Sequence, residues 1–394
     1  MATTSVILGG ARTPIGRFGS SLASLAAVDL GAVAIRAALE RSGVEPAAVD
    51  YVIMGQVLQA GTGQITARQA AIAAGVPREV PAITINKVCL SGLNAVAMAD
   101  QMIRAGEADV VVAGGMESMS QAPYLLPKAR EGLRIGDGTV VDSMIHDGLW
   151  STFTRQHMGE SSDAVNRELG ITREEQDAWS ARSHARAAAA WASGAIADEV
   201  VAVEVPGKGG TTLVDRDEGI RADTTAERLA ALRPAFVEGG TITAGNASQV
   251  SDGAAALVVA RREVADALGV APLAEVVAHG MSASGFPYLH TVPALALQAA
   301  LKKANLEASD LDRVEINEAF AAVALHSTRM LGLDEERVNT HGGAVALGHP
   351  IGASGARLAL TLACELRRTG VALAAATLCG GGGQGDALIL RRMS

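Results

Sequence analysis

Short apolar runs rich in Val and Ile alternate along the chain with segments whose apolar residues follow helical spacing. Uninterrupted short runs are typical of buried strands, and recurrence every three to four residues is typical of amphipathic helices. The pattern predicts strands at residues 5–8, 49–54, 83–88, 109–115, 253–260, 314–316, 372–378 and 387–390. It predicts helices at residues 27–42, 67–74, 89–105, 173–193, 293–304, 319–330 and about 350–369.

The order of elements is similar in the first and last thirds of the chain. In each third, a strand leads through a loop to a reactive side chain at a predicted helix start, at Cys89 and again at His349. The residues between are more charged and less regular, which is typical of an inserted domain. We therefore predict an α/β protein with two duplicated halves. The predicted boundaries are 1–120 with 249–271 for the first half, 121–248 for the insertion and 272–394 for the second half.

Composition narrows the class of protein. Apolar residues make up 49% of the chain and aromatic residues only 3%, so the core is built mainly from Ala, Val, Leu and Ile. A net charge of −9 argues against nucleic acid as a partner. No apolar run approaches the roughly eighteen residues of a membrane span, and residues 1–14 lack a signal-peptide pattern. Three cysteines cannot form a closed set of disulfides and lack zinc-site spacing, so we expect no metal and a reduced, cytoplasmic setting.

Two cysteines are candidates for covalent chemistry. Cys89 follows a predicted strand and opens a predicted helix, a position that favours the thiolate and lowers the thiol pKa. Cys379 ends a strand and precedes four glycines, whose N–H groups could stabilise an oxyanion. A buried structural cysteine is the alternative interpretation of Cys89. Cys364 lies among leucines within a predicted helix, and we interpret it as a core residue.

A histidine and an asparagine also stand at predicted element ends. His349 precedes Pro350, and Pro is favoured in the first turn of a helix, so His349 is predicted at a helix N-terminus. A helix N-terminus favours a neutral imidazole and nearby anions. The alternative is a surface histidine in a turn. Asn317 ends a strand and is most simply an N-cap, which does not exclude a role in a site.

The glycine-rich segment at residues 380–385 matches the dinucleotide pattern G-x-G-x-x-G. That motif requires a following helix and an acidic residue about twenty positions later. Here a strand follows and the chain ends at residue 394, so we reject the dinucleotide-binding interpretation of this segment. Two thiols, a histidine and an asparagine near glycines are instead the groups needed for acyl transfer to carbon.

Four motifs, in order, resemble those of the thiolase family over nearly the whole chain. They are Cys-Leu-Ser-Gly at 89–92, Asn-Glu-Ala-Phe at 317–320, Gly-His-Pro-Ile-Gly at 348–352 and Cys-Gly-Gly-Gly at 379–382. The resemblance implies a five-layered αβαβα fold with duplicated halves. It also implies a loop domain over the active site and a dimer or tetramer, and we expect a homotetramer that is a dimer of dimers.

The resemblance also implies roles for single residues. Cys89 would carry the acyl group, His349 would activate it, and Cys379 would move the proton at the alpha carbon of the acceptor. One oxyanion hole would consist of His349 and a water held by Asn317. The second would consist of the backbone N–H groups of Cys89 and Gly381.

Coenzyme A would enter as part of the thioester substrate, and no cofactor is expected. The matching positions for coenzyme A are Leu149, His157, Met158, Arg221, Phe236, Ala244, Ser248, Ala319 and Phe320. Of these, Ser248 would lie along the pantetheine arm and Arg221 near the adenine. Because the chain is acidic, local Arg and His side chains must receive the phosphates.

Two positions depart from the family pattern. Leu90 follows the nucleophile where a small residue is usual, and it either narrows the pocket or packs inward. The acyl-pocket loop at 284–291 lacks the Met/Gly-rich composition common in acetoacetyl-CoA thiolases. By contrast, His157-Met158-Gly159 resembles the biosynthetic, short-chain branch. The expected activity is acetyl-CoA C-acetyltransferase, the reversible condensation of two acetyl-CoA to acetoacetyl-CoA.

Three alternatives remain from sequence. One is a broader-range 3-ketoacyl-CoA thiolase of fatty-acid β-oxidation. A second is a non-catalytic acyl-CoA-binding protein, which would be expected to lose Cys89, His349 or Cys379. The third is a condensing ketoacyl synthase, which uses a Cys-His-His or Cys-His-Asn set and lacks the Cys379 motif. The direction of net flux is not predicted.

Overall fold

The computed structural model describes residues 3–393. Its helices are α1 (Ala27–Ser42), α2 (Thr66–Ala73), α3 (Ser91–Ala105), α4 (Met158–Leu169), α5 (Arg173–Ser193), α6 (Ala226–Ala230), α7 (Arg262–Leu268), α8 (Val292–Ala304), α9 (Ala321–Met330), α10 (Ala344–Leu347) and α11 (Ser354–Thr369). The strands are β1 (Ser5–Arg12), β2 (Gly16–Arg17), β3 (Tyr51–Gly55), β4 (Ala82–Ile85), β5 (Val110–Ser118), β6 (Tyr124–Leu125), β7 (Val141–Asp142), β8 (Trp150–Ser151), β9 (Gln156–His157), β10 (Val203–Gly207), β11 (Gly210–Val214), β12 (Ser251–Arg261), β13 (Ala274–Ala283), β14 (Arg313–Ile316), β15 (Leu373–Gly380) and β16 (Gln384–Arg391).

The main strands form two sets with the same topology. The first set lies in the order β4-β3-β5-β12-β1 and the second in the order β14-β15-β16-β13. A parallel bridge from Val314 to Val338 adds an extended segment beyond β14. In both sets the strand that comes first in the chain lies at one end, beside the strand that comes last. The repeated order confirms the predicted duplication. A short antiparallel contact between β1 and β13, at Val6 and Ile7, joins the two sets.

Helices form three layers around the two strand sets. Helices α1 and α2 pack on one face of the first set, and α8 packs on one face of the second, with α9 against α8. Helices α3 and α11 pack against each other and against strands of both sets, so they form the central layer. This is the predicted five-layered αβαβα arrangement. The central layer matters for function because α3 follows Cys89 and α11 follows His349.

The segment between β5 and β12 leaves the first strand set and returns to it. It contains α4, α5, α6 and three short antiparallel hairpins, β6–β7, β8–β9 and β10–β11. Arg12 of the first half fixes it through buried ion pairs with Glu199 at 2.7 Å and Asp217 at 2.7 Å. A long insertion in the first half is therefore observed, while the domain boundaries given above stay predictions.

The cysteines are all free and buried. Across residues 3–393, the helices include none with the length and apolar character that spanning a membrane requires. Cys364 lies on α11 in the apolar core, as predicted, against leucines of the same helix.

Candidate active site

Cys89 lies in the tight turn between β4 and α3. The turn requires a positive φ of 52° at Val88, a conformation that β-branched residues rarely adopt and that costs about 1–3 kcal/mol. Local hydrogen bonds stabilise this backbone conformation. The Asn86 side chain accepts from the Val88 N–H at 2.9 Å. The Ser91 hydroxyl accepts from the Lys87 N–H at 2.8 Å and donates to the Val88 carbonyl at 2.6 Å. The nucleophile candidate is therefore presented by a fixed, strained backbone.

Burial controls the charge state of Cys89. The side chain is 5% exposed. Burial raises the pKa of the thiol to about 12, although the backbone N–H groups of Cys89 and Gly381 favour the thiolate. The predicted lowering of the pKa is therefore wrong for the free protein. Helix α3 begins at Ser91 rather than at Cys89, and desolvation outweighs the two backbone hydrogen bonds that favour the thiolate.

His349 lies in a turn before α11, and this corrects its predicted position at the first helical turn. Helix α11 begins at Ser354, because the carbonyl of Pro350 accepts from the N–H groups of Ala353 and Ser354 to form a preceding turn. Gly348 lies just before His349 and has a φ of 111°, a backbone conformation that favours glycine. His349 therefore precedes the helix by a full turn, and its side chain is buried rather than on the surface.

Hydrogen bonds select one tautomer of His349. The Ser354 hydroxyl lies 2.6 Å from Nδ1 of His349 and 3.0 Å from the Pro350 carbonyl oxygen. Because a carbonyl only accepts, the hydroxyl donates to Pro350 and accepts from Nδ1–H. That tautomer leaves Nε2 with a lone pair, and the side-chain amide of Asn317 lies 3.4 Å from it. Burial, and then Arg357, lowers the pKa of His349 to about 3, so the imidazole is neutral at physiological pH.

Asn317 follows β14 but does not cap the next helix. Helix α9 begins at Ala321 with Phe320 at its N-cap, so the N-cap interpretation of Asn317 is wrong. Its backbone N–H instead donates to the carbonyl of Thr377 at 3.0 Å, on the strand that carries Cys379. The Oδ1 atom is buried and has no protein partner among the residues described. The side chain is therefore free to accept one further hydrogen bond beside His349.

Cys379 lies on β15 and is 1% exposed. Burial is the main cause that raises the pKa of its thiol, and nearby Cys89 raises it further. The Cys89 thiol is therefore near enough to Cys379 to affect its ionisation. Both thiols are therefore neutral in the resting protein, and an ionised sulfur requires an acceptor for its proton.

One cavity of about 280 Å³ brings these groups together. Its lining includes both thiols, His349, Gly380 and Gly381, whereas Asn317 is not among the lining residues. The predicted coenzyme A positions that line it are Leu149, His157, Met158, Phe236, Ser248, Ala319 and Phe320. Residues that line it but were not predicted from sequence are Met119, Ile145, Ala247, Gln249, Val250, Leu289 and Ile351.

Two predicted coenzyme A positions lie outside this cavity. Arg221 is exposed, and its backbone N–H donates to Nδ1 of His184 at 3.2 Å. Ala244 is also exposed. Both therefore stay predictions for the outer part of the ligand. Leu90, the departure beside the nucleophile, is fully buried and lies against the backbone of Gly380, so it packs inward and does not narrow the cavity.

Glu117 supports the site without lining the cavity. Its Oε2 atom accepts from the N–H groups of Val57 and Gly352, each at 3.0 Å, and its Oε1 accepts from Leu58 at 3.1 Å. Burial raises the pKa of this carboxyl to about 7. Because Gly352 follows His349 by three residues, Glu117 holds the His349 turn. In the sequence, Glu117 is the single charged residue in the otherwise apolar strand β5, and this was the signal that could have identified its role.

Residues 3–393 contain no group of three or more His, Cys, Asp or Glu side chains arranged as metal ligands. The chemistry available to the cavity is that of its own residues: two thiols, one neutral imidazole whose Nε2 carries a lone pair, and backbone N–H donors. Thiols of this kind form thioesters with acyl groups, and a base beside them moves protons.

Comparison with known proteins identifies the family. Residues 5–263 match the thiolase N-terminal domain, and residues 270–392 match the thiolase C-terminal domain. A probable acetyl-CoA acetyltransferase of Mycolicibacterium smegmatis is 57% identical over 388 residues, covering 98% of this chain and 100% of the relative. Acetyl-CoA acetyltransferases of Thiocystis violacea and Cupriavidus necator are 48% and 49% identical, covering 100% and 99% of this chain and the whole of each relative. The chain therefore belongs to the thiolase family.

Proposed function

We propose that this protein is an acetyl-CoA acetyltransferase, which joins two acetyl-CoA molecules reversibly into acetoacetyl-CoA and free coenzyme A. The observation that carries the proposal is the single cavity in which Cys89, His349 and Cys379 meet. Relatives that cover the whole chain carry the name of this activity. A protein that only bound acyl-CoA would not require two thiols and a base at one point.

The first half-reaction transfers an acetyl group to Cys89. As the sulfur attacks the thioester carbonyl, its proton passes to Nε2 of His349, whose other nitrogen donates to Ser354. The backbone N–H groups of Cys89 and Gly381 stabilise the oxyanion. The carbon–sulfur bond to coenzyme A then breaks, and the leaving thiolate takes the proton from His349. Because the resting pKa of Cys89 is about 12, proton transfer must accompany the attack.

The second half-reaction forms the carbon–carbon bond. The proton of Cys379 passes to His349, and the Cys379 thiolate removes a proton from the alpha carbon of a second acetyl-CoA. Protonated His349 and a water bound by Oδ1 of Asn317 stabilise the enolate oxygen. The enolate attacks acetyl-Cys89, the carbon–sulfur bond breaks, and His349 returns its proton to Cys89. Each group therefore ends in its starting protonation state.

Alanine substitution of each cysteine tests these roles. We expect Cys89→Ala to form no acetyl-enzyme with acetyl-CoA. Cys379→Ala should still acetylate Cys89 but form no acetoacetyl-CoA. Cys364→Ala is the matched control, because that thiol lies in the core away from the cavity, and it should retain both steps. The measurements are peptide mass spectrometry for acetylation and chromatography for acetoacetyl-CoA. Condensation by Cys379→Ala at the wild-type rate would contradict the assignment.

We expect the cavity to favour a short acyl group. A second space of about 520 Å³ lies beside it and shares Met158 and Gly381 with it. The rings of Phe153 and Phe286 stack at 4.1 Å beside this second space, and Phe153 lines it. We expect Met158 to bound the acyl group at the two-carbon length. Thiolysis of acetoacetyl-CoA should therefore be at least about tenfold more efficient than thiolysis of 3-ketooctanoyl-CoA. Equal kcat/KM values would contradict a short-chain preference.

We infer that the protein is a homotetramer, a dimer of dimers. Strand β4 is the free edge of the first strand set, and Ile83 on it is 38% exposed. A separate apolar surface lies beside the β6–β7 hairpin, where Ile135 is 98% exposed. Two separate exposed apolar surfaces are what two kinds of subunit contact require. Mass photometry should show a tetramer for wild type and a smaller assembly for Ile135→Glu, and a wild-type monomer or dimer would contradict the inference. A cytoplasmic location and catalysis without a cofactor stay predictions.

A further inference from the structure

A buried carboxylate joins the two halves of the chain behind the cavity. Asp386 lies on β16 and is fully buried. In the pairing of β16 with β15, Asp386 lies opposite Leu378, the residue before Cys379. The carboxylate is therefore held by the same hairpin that carries the second thiol. Asp386 itself does not line the cavity.

The carboxylate bonds to both sides of the nucleophile turn. Nζ of Lys87 donates to Oδ1 of Asp386 at 2.7 Å, and Nδ2 of Asn94 donates to Oδ2 at 3.1 Å. Lys87 precedes Cys89 by two residues, and Asn94 lies five residues after it on α3. These donors are 299 and 292 residues from Asp386 along the chain. One carboxylate thus fixes the turn from both ends.

The other ionisable group facing Asp386 is His279 on β13. Its Nε2 lies 3.9 Å from Oδ1 and has no hydrogen-bond partner among residues 3–393. Burial, and then Lys87 and Lys303, lowers the pKa of His279 to about 4, so His279 is neutral. Lys87 is therefore the counter-charge of Asp386. A charged pair that is buried on one side resists displacement because an unpaired charge there would be costly.

We propose that Asp386 is a positioning residue that fixes the Cys89 turn against the Cys379 hairpin by holding Lys87 and Asn94. The inference rests on the proposed roles of Cys89 and Cys379. In the second half-reaction the enolate formed at one thiol must reach the acetyl group on the other. A misplacement of the two reacting groups by about 1 Å lowers the rate on the order of 10²-fold. None of the three bonded residues lines the cavity, so their effect is on geometry rather than on binding of coenzyme A.

The test compares Asp386→Asn, Lys87→Met and the double variant. Asp386→Asn keeps the shape of the side chain but removes its charge. We expect each single variant to lower kcat for condensation at least about tenfold, while KM for acetyl-CoA stays within about twofold. The double variant should be no slower than the slower single variant, because residues that act as one unit give non-additive effects.

Glu199→Gln is the matched control. It removes a carboxylate from another buried ion pair, with Arg12, away from the cavity. It should lower the melting temperature without changing kcat. If Asp386→Asn does not fold, Lys87→Met carries the test, because the Lys87 side chain is 21% exposed and its loss is better tolerated.

Wild-type kcat in both single variants, or a rise in KM alone, would overturn the inference. Additive losses of kcat in the double variant would also overturn it. The proposed function fails by a different result, the absence of acetyl-Cys89 in wild type. Peptide mapping of the acetylated wild-type protein therefore accompanies the kinetics and separates the two failures.

Discussion

Replacing Ser354 with alanine tests the proposed state of His349. The Ser354 hydroxyl is buried, at 2% exposure, and lies 2.6 Å from Nδ1 of His349. In Ser354→Ala the Nδ1–H loses its protein acceptor, and an unsatisfied buried donor costs about 1–3 kcal/mol. The fold should persist, because only one buried hydrogen bond and a small side-chain volume are lost.

The effect on catalysis follows from the change of charge on His349 during the reaction. A hydrogen bond to a neutral group contributes about 0.5–1.5 kcal/mol, and one to a charged group about 1.5–3 kcal/mol. The hydrogen bond to Ser354 therefore stabilises the imidazolium form of His349 by about 1–2 kcal/mol more than it stabilises the neutral ring. Since about 1.4 kcal/mol is tenfold in rate, kcat should fall about 5- to 30-fold. A shift to the Nε2–H tautomer would remove the base and increase the loss.

The assay is steady-state thiolysis of acetoacetyl-CoA, and the rate is measured as the loss of the substrate's enolate absorbance. KM should change by less than about twofold, because Ser354 does not line the cavity. Ser180→Ala is the matched control: it removes a fully buried hydroxyl that donates only to the carbonyl of Gln176 within α5. Unchanged kcat in Ser354→Ala, or an equal loss in Ser180→Ala, would refute the reasoning about His349.

Three further substitutions test the supports of the site. The raised pKa of Glu117, about 7 against 4.5, contributes stability that is present below pH 4.5 and is lost as pH rises through 7. Measured by urea unfolding, the wild-type free energy of unfolding should therefore fall by about 2.5 kcal/mol more between pH 5 and 8 than that of Glu117→Gln, and an equal fall would contradict the raised pKa. Leu90→Ala should cost about 2–5 kcal/mol of unfolding free energy and leave KM within about twofold, whereas a large KM change would place Leu90 at the substrate. In Gly115→Ala the new Cβ would overlap the carbonyl oxygen of Gly352, so we expect poor folding and loss of acetyl-enzyme; a folded, active variant would contradict this contact.

Local patterns in the sequence were sufficient for many elements. The bounds of α1 and α5 agree with prediction, and each helix ends at a glycine, Gly43 or Gly194, in the left-handed conformation. The apolar runs that predicted β5 and β12 lie in the centre of the first strand set. Strand β13 was missed, since polar residues such as His279 and Ser282 interrupt its apolar pattern.

Features set by distant contacts could not be predicted. The start of α11 was placed too early: residues 350–353 form a turn, and the Gly352 N–H donates to Glu117, a distant contact that the local sequence does not show. The pKa of Cys89 was predicted with the wrong sign, since a helix N-terminus is visible in sequence and the extent of desolvation is not. Cavity residues such as Ile145 carry no chemical signal and are identified only by packing.

The central claim is that two thiols far apart in sequence share one cavity. The most direct measurement is crosslinking of the unmodified protein with 1,3-dibromoacetone, followed by peptide mapping, because this reagent joins two sulfurs only through a three-carbon bridge. The account predicts one crosslinked pair of peptides, carrying Cys89 and Cys379, with Cys364 unmodified. Alkylation of Cys89 and Cys379 on separate peptides, with no bridge between them, would contradict it.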